Sequence, residues 1–181
     1  MALVDRRSAV ILLSEIDSDD EVDELVTELI LRDATFDDVE TITTVIRAAF
    51  EDYHDKLDPP SGAHAEDPAH IREKMAKGGA IMAFSGEECA GCVLFYPLDG
   101  NLYLGRLAVL PAFRRSGVGQ ALVAAVEQKA AEMNLPAVQL GVRIALPRNR
   151  AFFERLGYQI ISYGTHPGYT EPTFMTMEKR I

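Results

Sequence analysis

The residues best suited to chemistry form a glycine- and arginine-rich segment between a predicted strand and a predicted helix. This segment contains the pattern Arg114-Arg115-Ser116-Gly117-Val118-Gly119. Glycines at a strand-to-helix junction allow consecutive backbone N–H groups to point into one concavity at the positive end of the helix dipole, an arrangement that binds phosphate or pyrophosphate. The two arginines add positive charge there. The pattern therefore predicts an anion-binding loop over residues 114–119.

Two other classes of phosphate-binding loop do not fit this spacing. A P-loop requires Gly-Lys-Ser or Gly-Lys-Thr, which occurs nowhere in the chain, so hydrolysis of ATP or GTP is disfavoured. A dinucleotide-binding fingerprint requires a third small residue where Leu122 stands, and it lies early in a fold between parallel strands. Neither condition is met here.

The remaining pattern, R-x-x-G-x-G preceded by Leu107-Ala108-Val109-Leu110-Pro111, resembles the coenzyme A signature of the GCN5-related N-acetyltransferase (GNAT) family. A second family-like segment, residues 148–158, follows at the expected distance and reads RNRAFFERLGY. The resemblance covers roughly residues 26–180. It implies an α/β (α+β) acyl-CoA N-acyltransferase fold, with a mixed, mostly antiparallel central sheet flanked by helices.

The same resemblance implies that acetyl-CoA is a co-substrate and that no metal is needed. Residues 114–119 would wrap the pyrophosphate chiefly through backbone N–H groups, and the backbone of residues 107–109 would pair with the pantetheine arm and polarise the thioester carbonyl. Arg148 or Arg150 would reach a phosphate, with a solvated surface position as the alternative. The implied coenzyme-binding residues are Leu107, Ala108, Val109, Arg114, Arg115, Ser116, Gly117, Val118, Gly119, Gln120, Asn149, Phe152 and Phe153.

The reaction implied is direct attack on acetyl-CoA by a primary amine of a small molecule or an exposed amino group. An amine with a pKa near ~10.4, the reference value for lysine, is protonated at pH 7, so a base or a water chain must remove a proton. The family often supplies that base from the third strand of the meander, where this chain has Gly105 and Arg106. Glu51 and His54, at the end of the first predicted helix, are candidate catalytic bases, with solvated side chains as the alternative.

Four residues are candidates for contact with the acceptor amine. Phe50 and Tyr53 lie at the end of the first predicted helix, and His166 and Tyr169 lie in the turn before the last strand, a region that lines the acceptor pocket in the family. Alternatively, that turn is only structural. The family usually places a tyrosine in the last helix to protonate the departing thiolate, whereas this chain has Phe153. A thiol with a pKa of ~8.5 leaves as thiolate with little penalty at neutral pH.

The charge of the chain is divided between its two ends. The 18 Lys and Arg against 28 Asp and Glu give a net charge of −10, which disfavours nucleic acid as the main partner. Residues 1–70 hold 19 acids and 5 bases, whereas residues 101–165, which include both coenzyme motifs, hold 3 acids and 8 bases. The basic part suits polyanionic coenzyme A, and the acidic first helix and loop favour a cationic amine or only aid solubility.

The sequence predicts one domain over residues 25–181, preceded by an acidic tail or edge segment over residues 1–24. The longest N-terminal apolar run, Ala9 to Leu13, is far shorter than the ~20 residues of a membrane span, so we expect a cytoplasmic protein with no membrane partner. Homodimers are common in the family and are a further expectation. Predicted elements are strand 25–32, helices from about 39 to 53 and 67 to 78, strands 80–85, 89–96 and 101–110, helix 117–133, strand 137–144, helix 149–156, and strands 158–163 and 173–179.

Two competing functions follow from other features. A coenzyme-binding module without catalysis is motivated by Gly105, Arg106 and Phe153, since the usual acid and base positions are empty. A metal or redox protein is motivated by Cys89 and Cys92, a lone C-x-x-C pattern. Structural zinc needs four ligands and thioredoxin-like pairs open a helix, whereas the residues after Cys92 read as a strand. We interpret the pair as two reduced thiols at a hairpin.

Overall fold

The computed structural model describes residues 8–12 and 28–181. Most of the predicted acidic tail, residues 1–24, therefore lies outside the described part, apart from the strand at residues 8–12. The elements in order are β1 (Ser8–Leu12), β2 (Glu28–Asp33), α1 (Val39–Phe50), α2 (Pro68–Lys77), β3 (Gly79–Ser85), β4 (Glu88–Leu98), β5 (Asn101–Val109), α3 (Val118–Glu132), β6 (Ala137–Arg143), α4 (Pro147–Arg155), β7 (Gln159–Gly164) and β8 (Phe174–Arg180).

All eight strands belong to one sheet, in the order β1-β2-β3-β4-β5-β6-β8-β7. Every neighbouring pair is antiparallel except β5 and β6, which run parallel. Two-residue turns join β3 to β4 and β4 to β5. The connection from β5 to its parallel neighbour β6 contains α3, which makes the crossover that a parallel pair requires. The predicted mixed, mostly antiparallel sheet with flanking helices is confirmed.

The two faces of the sheet carry different helices. On the front face, α1 and α2 pack through residues such as Ile46 and Ile71 against one core cluster. On the back face, α3 and α4 pack through residues such as Leu122 and Phe153 against a second cluster. Because side chains alternate along a strand, β4 supplies both clusters, with Val93 at the back and Leu94 at the front.

Local sequence signals account for the helix boundaries. The side chain of Asp67 accepts a hydrogen bond of 2.8 Å from the backbone N–H of His70, which caps α2 ahead of Pro68. The last helix begins at Pro147, two residues earlier than the predicted start, because a proline suits the first helical position. The first helix ends at Phe50 and continues as a tighter turn over residues 51–53.

The central feature of the sheet is a splay between β5 and β6. The two strands pair only at three positions, from Leu102 with Val138 to Leu104 with Leu140, and separate beyond them. On its other side, β5 contains a bulge, where Cys92 pairs with Ala108 but Leu94 pairs with Gly105. Arg106 lies in this bulge with a φ of 52°. The backbone of residues 105–109 therefore has one edge without a strand beside it.

A buried carboxylate ties the front helices to this bulge. The side chain of Glu66 is buried, and its Oε1 accepts hydrogen bonds from Arg106 Nε at 2.7 Å and from Lys74 Nζ on α2. The backbone carbonyl of Glu66 accepts a 2.8 Å bond from Arg47 on α1. Burial opposes ionisation of this carboxyl, but the bonds and charges of Lys74 and Arg106 outweigh it and hold the pKa of Glu66 below its usual value.

Truncation of the buried carboxylate will test this link. Glu66→Ala leaves Lys74 and Arg106 partly buried without their shared anion, so we expect the free energy of unfolding to fall by about 1–3 kcal/mol. Because the pKa of Glu66 is lowered in the folded state, its contribution is present above the pKa of an unfolded glutamate and is lost as the pH falls below it. Urea unfolding at pH 7 and at pH 3 measures both effects.

The matched control is Glu73→Ala, which removes a carboxylate from an exposed ion pair with Lys77 on the same helix. An exposed pair of this kind contributes little to stability because water screens it, so a much smaller loss is expected than for Glu66→Ala. Equal losses for the two variants would contradict the assignment of Glu66 as the anchor.

The back core gives a second prediction about stability. Leu122 on α3 is fully buried, so Leu122→Ala is expected to lower the free energy of unfolding by about 2–5 kcal/mol through lost burial and the cavity left behind. Leu98→Ala is the control, because Leu98 is 41% exposed and the same truncation there should cost under about 0.5 kcal/mol. Denaturant unfolding curves of the two variants provide the comparison.

Candidate functional site

The predicted anion-binding loop has the backbone conformation that such a loop requires. Arg115 and Gly117 both adopt left-handed conformations, with φ values of 71° and 82°, and α3 begins directly afterwards at Val118. The backbone N–H groups of residues 115–120 donate to no acceptor within the described part of the chain. A continuous row of free N–H groups at the positive end of a fifteen-residue helix can bind an anion.

Three of the predicted coenzyme-binding segments meet at this helix terminus. A Cβ atom built on Gly119 would lie 3.5 Å from the Phe152 ring of α4 and 3.6 Å from the Val109 side chain of β5. The anion loop, the end of β5 and the last helix thus border one cleft, which opens where β5 and β6 separate. The absence of a side chain at Gly119 keeps the backbone at this junction accessible.

Arg114 is held away from the row of N–H groups by contacts with α1 and β5. Its guanidinium donates to Asp52, to the carbonyl of Ala49 at 2.8 Å and to the carbonyl of Val109 at 3.4 Å. The bond to Asp52 lowers the pKa of that carboxyl. Arg114 thereby connects the anion loop to the end of the front helix, a contact that the sequence pattern did not indicate.

The other predicted coenzyme-binding residues differ in exposure. Arg115 and Gln120 are exposed, and Ser116 donates a 2.7 Å bond to the carbonyl of Phe113. On α4, Asn149 is half-buried, whereas Phe153 is buried in the back core. The Phe153 ring packs edge-to-face with Phe152 at 5.0 Å and with Tyr158 at 5.6 Å.

The candidate bases lie in the loop between α1 and α2. Glu51 and His54 are both exposed. The imidazole of His54 lies 3.1 Å from the Asp55 carboxylate and packs edge-to-face on His64, with the ring centres 4.9 Å apart. The Nε2 atom of His64 is buried and has no hydrogen-bond partner in the described part of the chain.

The candidate acceptor residues cluster near the same loop. The rings of Phe50 and Tyr53 pack edge-to-face at 6.0 Å. Across the cleft, the Tyr169 hydroxyl donates to the Asp58 carboxylate, so the turn before β8 contacts the loop between α1 and α2. His166 is held by a 2.5 Å bond between its Nδ1 and the hydroxyl of Thr173, and burial with the charge of Arg143 lowers its pKa.

Three polar residues of the cleft were missed at the sequence level. Glu66 directly precedes Asp67. Because Asp67 is the N-cap of α2, an acidic pair at this point is explained by the helix start, and nothing in the sequence separates Glu66 from it. Arg106 and Arg143 are single arginines in strand patterns, and the pattern of a strand does not show which neighbour its side chains meet. The signal available in the sequence was the break in the alternation of apolar residues at Gly105, directly before Arg106.

The two cysteines lie together on β4 as free thiols, Cys92 buried and Cys89 half-buried. Burial raises the pKa of each thiol. Within residues 28–181, no three His, Cys, Asp or Glu side chains are grouped closely enough to hold a metal ion. No helix in the described ranges has the length and apolar character of a membrane span.

Solved structures with the same fold are numerous among acetyltransferases. PaiA N-acetyltransferase from Thermoplasma acidophilum, in complex with coenzyme A, superposes with a TM-score of 0.71 at 14% identity, covering 84% of this chain and 99% of that one. Ard1 from Thermoplasma volcanium gives 0.69 at 20% identity, covering 84% and 97%. The ribosomal-protein-S18-alanine N-acetyltransferase from Escherichia coli gives 0.67 at 16% identity, covering 84% and 94%. At these identities the likeness shows the fold.

Family membership rests on the sequence match over the same region. The acetyltransferase (GNAT) family model matches residues 43–158, which run from α1 through the anion loop to the end of α4. No curated protein matches the chain by sequence. The match covers more than half of the chain, and the splayed sheet with its free helix terminus agrees with it. The chain is therefore a member of the GNAT acetyltransferase family.

Proposed function

We propose that this protein is an acetyl-CoA-dependent N-acetyltransferase that acetylates a primary amine of a small molecule or an exposed amino group. The observation that carries the proposal is the row of free backbone N–H groups at residues 115–120, which opens beside the unpaired edge of β5. An anion site and an open strand edge in one cleft suit a ligand with a pyrophosphate and an extended amide-containing arm.

Each segment that borders the cleft has a proposed part of coenzyme A to bind. The N–H groups of residues 115–120 bind the pyrophosphate, and Arg115 adds charge from the exposed side of the loop. The backbone edge of residues 107–109 pairs with the pantetheine amides, and one of its N–H groups donates to the acetyl carbonyl as negative charge develops on that oxygen. The coenzyme supplies an activated acetyl group on sulfur. Phe152 and Asn149 border the same cleft from α4.

Proton removal from the amine falls to the acceptor side of the cleft. Glu51 and His54 remain the candidate bases, and both are exposed in the loop that contacts the turn before β8. The edge-to-face contact with His64, with ring centres 4.9 Å apart, orients the imidazole of His54. Six of the residues from 51 to 67 are Asp or Glu and one is Lys, so this loop attracts a protonated amine from solution.

Departure of the thiol does not require a donor at Phe153. That side chain has no polar atom and lies in the back core. Because a thiol has a pKa near ~8.5, its thiolate is a competent leaving group at neutral pH. We therefore propose that the leaving thiolate takes its proton from water.

A coenzyme-binding protein without catalysis is the second candidate function. The family position for a base on the third meander strand is held by Gly105 and Arg106, and Arg106 is engaged by Glu66. This arrangement leaves no free carboxylate on that strand at the bulge. The two candidate functions share the anion loop and differ in whether any amine is acetylated.

Replacement of Gly117 tests coenzyme binding at the loop. In Gly117→Val, a branched side chain at a φ of 82° disturbs the row of N–H groups, so we expect the Kd for coenzyme A to rise at least tenfold, about 1.4 kcal/mol. Titration calorimetry measures the change. Gly100→Val is a matched control, because Gly100 has a φ of 80° in the turn between β4 and β5, with open space around its Cβ position. Equal affinity for the Gly117 variant and the wild type would refute the assignment.

Thiol release from acetyl-CoA across a panel of amines tests catalysis. If the protein is an N-acetyltransferase, we expect release of coenzyme A thiol that depends on the amine. The amount of acetylated amine detected by mass spectrometry should equal the amount of thiol released. A protein that binds coenzyme A by calorimetry but acetylates no amine, amino acid or peptide N-terminus would support the second candidate. Activity that rises as the pH approaches the pKa of the amine is expected, since only the neutral amine attacks.

A further inference from the structure

Two arginines stand at the mouth of the splay, one on each strand. Arg106 follows Leu104, the last residue of β5 that pairs with β6, by two positions, and Arg143 follows Leu140 of β6 by three. Val142 belongs to the back core, so the alternation of the strand directs Arg143 to the front face, where Arg106 contacts Glu66. The two strands are no longer paired with each other at these two positions.

The guanidinium of Arg106 is held in place by Glu66 through one nitrogen, while its other two nitrogens make no hydrogen bond to the described residues. Glu66 accepts from its Nε at 2.7 Å, which fixes the plane of the group. Its two terminal nitrogens donate to no acceptor in residues 28–181, and about 31% of its side chain is accessible to solvent. A guanidinium held through Nε presents its remaining N–H groups as a fork that matches a carboxylate.

The guanidinium of Arg143 has no ion-pair partner in the described part of the chain. Its Nη2 donates to the carbonyl of Pro59 at 2.6 Å, while its Nε is buried and donates to nothing. Burial lowers the pKa of Arg143, and the nearby Asp58 and Tyr169 oppose that effect. Asp58 already accepts a hydrogen bond from the Tyr169 hydroxyl. An arginine with a buried unsatisfied N–H group costs stability unless a ligand satisfies it.

One short stretch of the loop between α1 and α2 covers both arginines. Pro59 accepts the bond from Arg143, and a Cβ atom on Gly62 would lie 3.2 Å from Nη2 of Arg106. The Cα atoms of these two loop residues are three peptide units apart, so they lie at most about 11 Å from each other. Both guanidinium groups therefore lie against the same four-residue stretch of the loop.

We propose that Arg106 and Arg143 form a carboxylate subsite, and that the acceptor is an amine that carries a carboxylate a few bonds from its nitrogen, as an amino acid does. This inference rests on the proposed acetyltransferase function and names its substrate class. Arg106 immediately precedes Leu107, whose backbone belongs to the edge assigned to the acetyl-bearing arm. A carboxylate bound at Arg106 therefore places a nearby amine close to the acetyl group. The acids of the loop, Glu51 and Asp55 among them, suit the ammonium end of the same zwitterion.

Matched amines will test the subsite. Thiol release is measured with α-, β- and γ-amino acids, with the carboxamide of each, and with the amine that remains after decarboxylation. We expect kcat/KM for the preferred amino acid to exceed that for its carboxamide by at least tenfold. The amine of the carboxamide has the lower pKa and is more often neutral, so a preference for the acid cannot come from the basicity of the amine.

Variants of the two arginines will locate the effect. Arg143→Gln is expected to raise KM for the amino acid at least tenfold while KM for acetyl-CoA stays within about twofold, and Arg143→Lys should restore part of the loss. Arg106→Lys keeps a cation beside Glu66 and loses the fork, so it reports on Arg106 without leaving that carboxylate unpaired. Arg180→Gln, an exposed arginine at the far end of β8, is the control and should leave the kinetics unchanged.

A binding measurement separates this inference from the proposed function. Calorimetric titration with the N-acetyl amino acid is expected to show binding by the wild type and its loss in Arg143→Gln. If carboxamides and decarboxylated amines are acetylated as well as the amino acids, the carboxylate subsite is refuted and the acetyltransferase function stands. If no amine is acetylated, the proposed function fails, and equal binding of the N-acetyl amino acid by wild type and Arg143→Gln would refute the subsite as well.

Discussion

β5 and β6 pair as parallel strands at three positions and then separate, and this separation leaves a row of backbone groups on β5 without a strand partner. Unpaired backbone N–H and C=O groups are costly when buried, so they require water or a ligand. The bulge at Arg106 contributes to this separation, because a bulge bends the strand and this one lies just before the open edge. The gap lies next to the N-terminus of α3, whose N–H groups are also free. Both donor sets therefore face one cleft.

Hydrogen bonds and ion pairs connect the front helices to the strand and the loop that border this cleft. Glu66 connects α1, α2 and the bulge through Arg47, Lys74 and Arg106. Arg114 makes a second connection, from the anion loop to the end of α1. The anion loop carries Arg114 and Arg115, whereas the loop between α1 and α2 is rich in acids.

Local patterns were sufficient for most of the fold. The α2 cap at Asp67-Pro68 and the glycines of the anion loop are signals within a few residues. Two motifs that resemble the GNAT family, with the matching elements between them, implied the GNAT fold, which the family match and the structural neighbours confirm. Some observed helix ends differ from the predicted ones by one or two residues, as at Pro147, where α4 begins two residues before the predicted start. The predicted coenzyme-binding segments meet at Gly119, Phe152 and Val109, although Phe153 turned into the core and Arg114 into a contact with α1.

The sequence by itself implied the class of the protein through two segments that resemble the GNAT family, residues 107–119 and 148–158, because each motif is formed by neighbours in the chain. Only the tertiary structure decided which distant side chains meet. Glu66 and Arg106 are forty residues apart, and Pro59 and Arg143 are eighty-four apart. No periodic pattern reports such pairs, because they depend on how the loop between α1 and α2 crosses the splay. These contacts between the loop and strands β5 and β6 were therefore visible only in the folded chain.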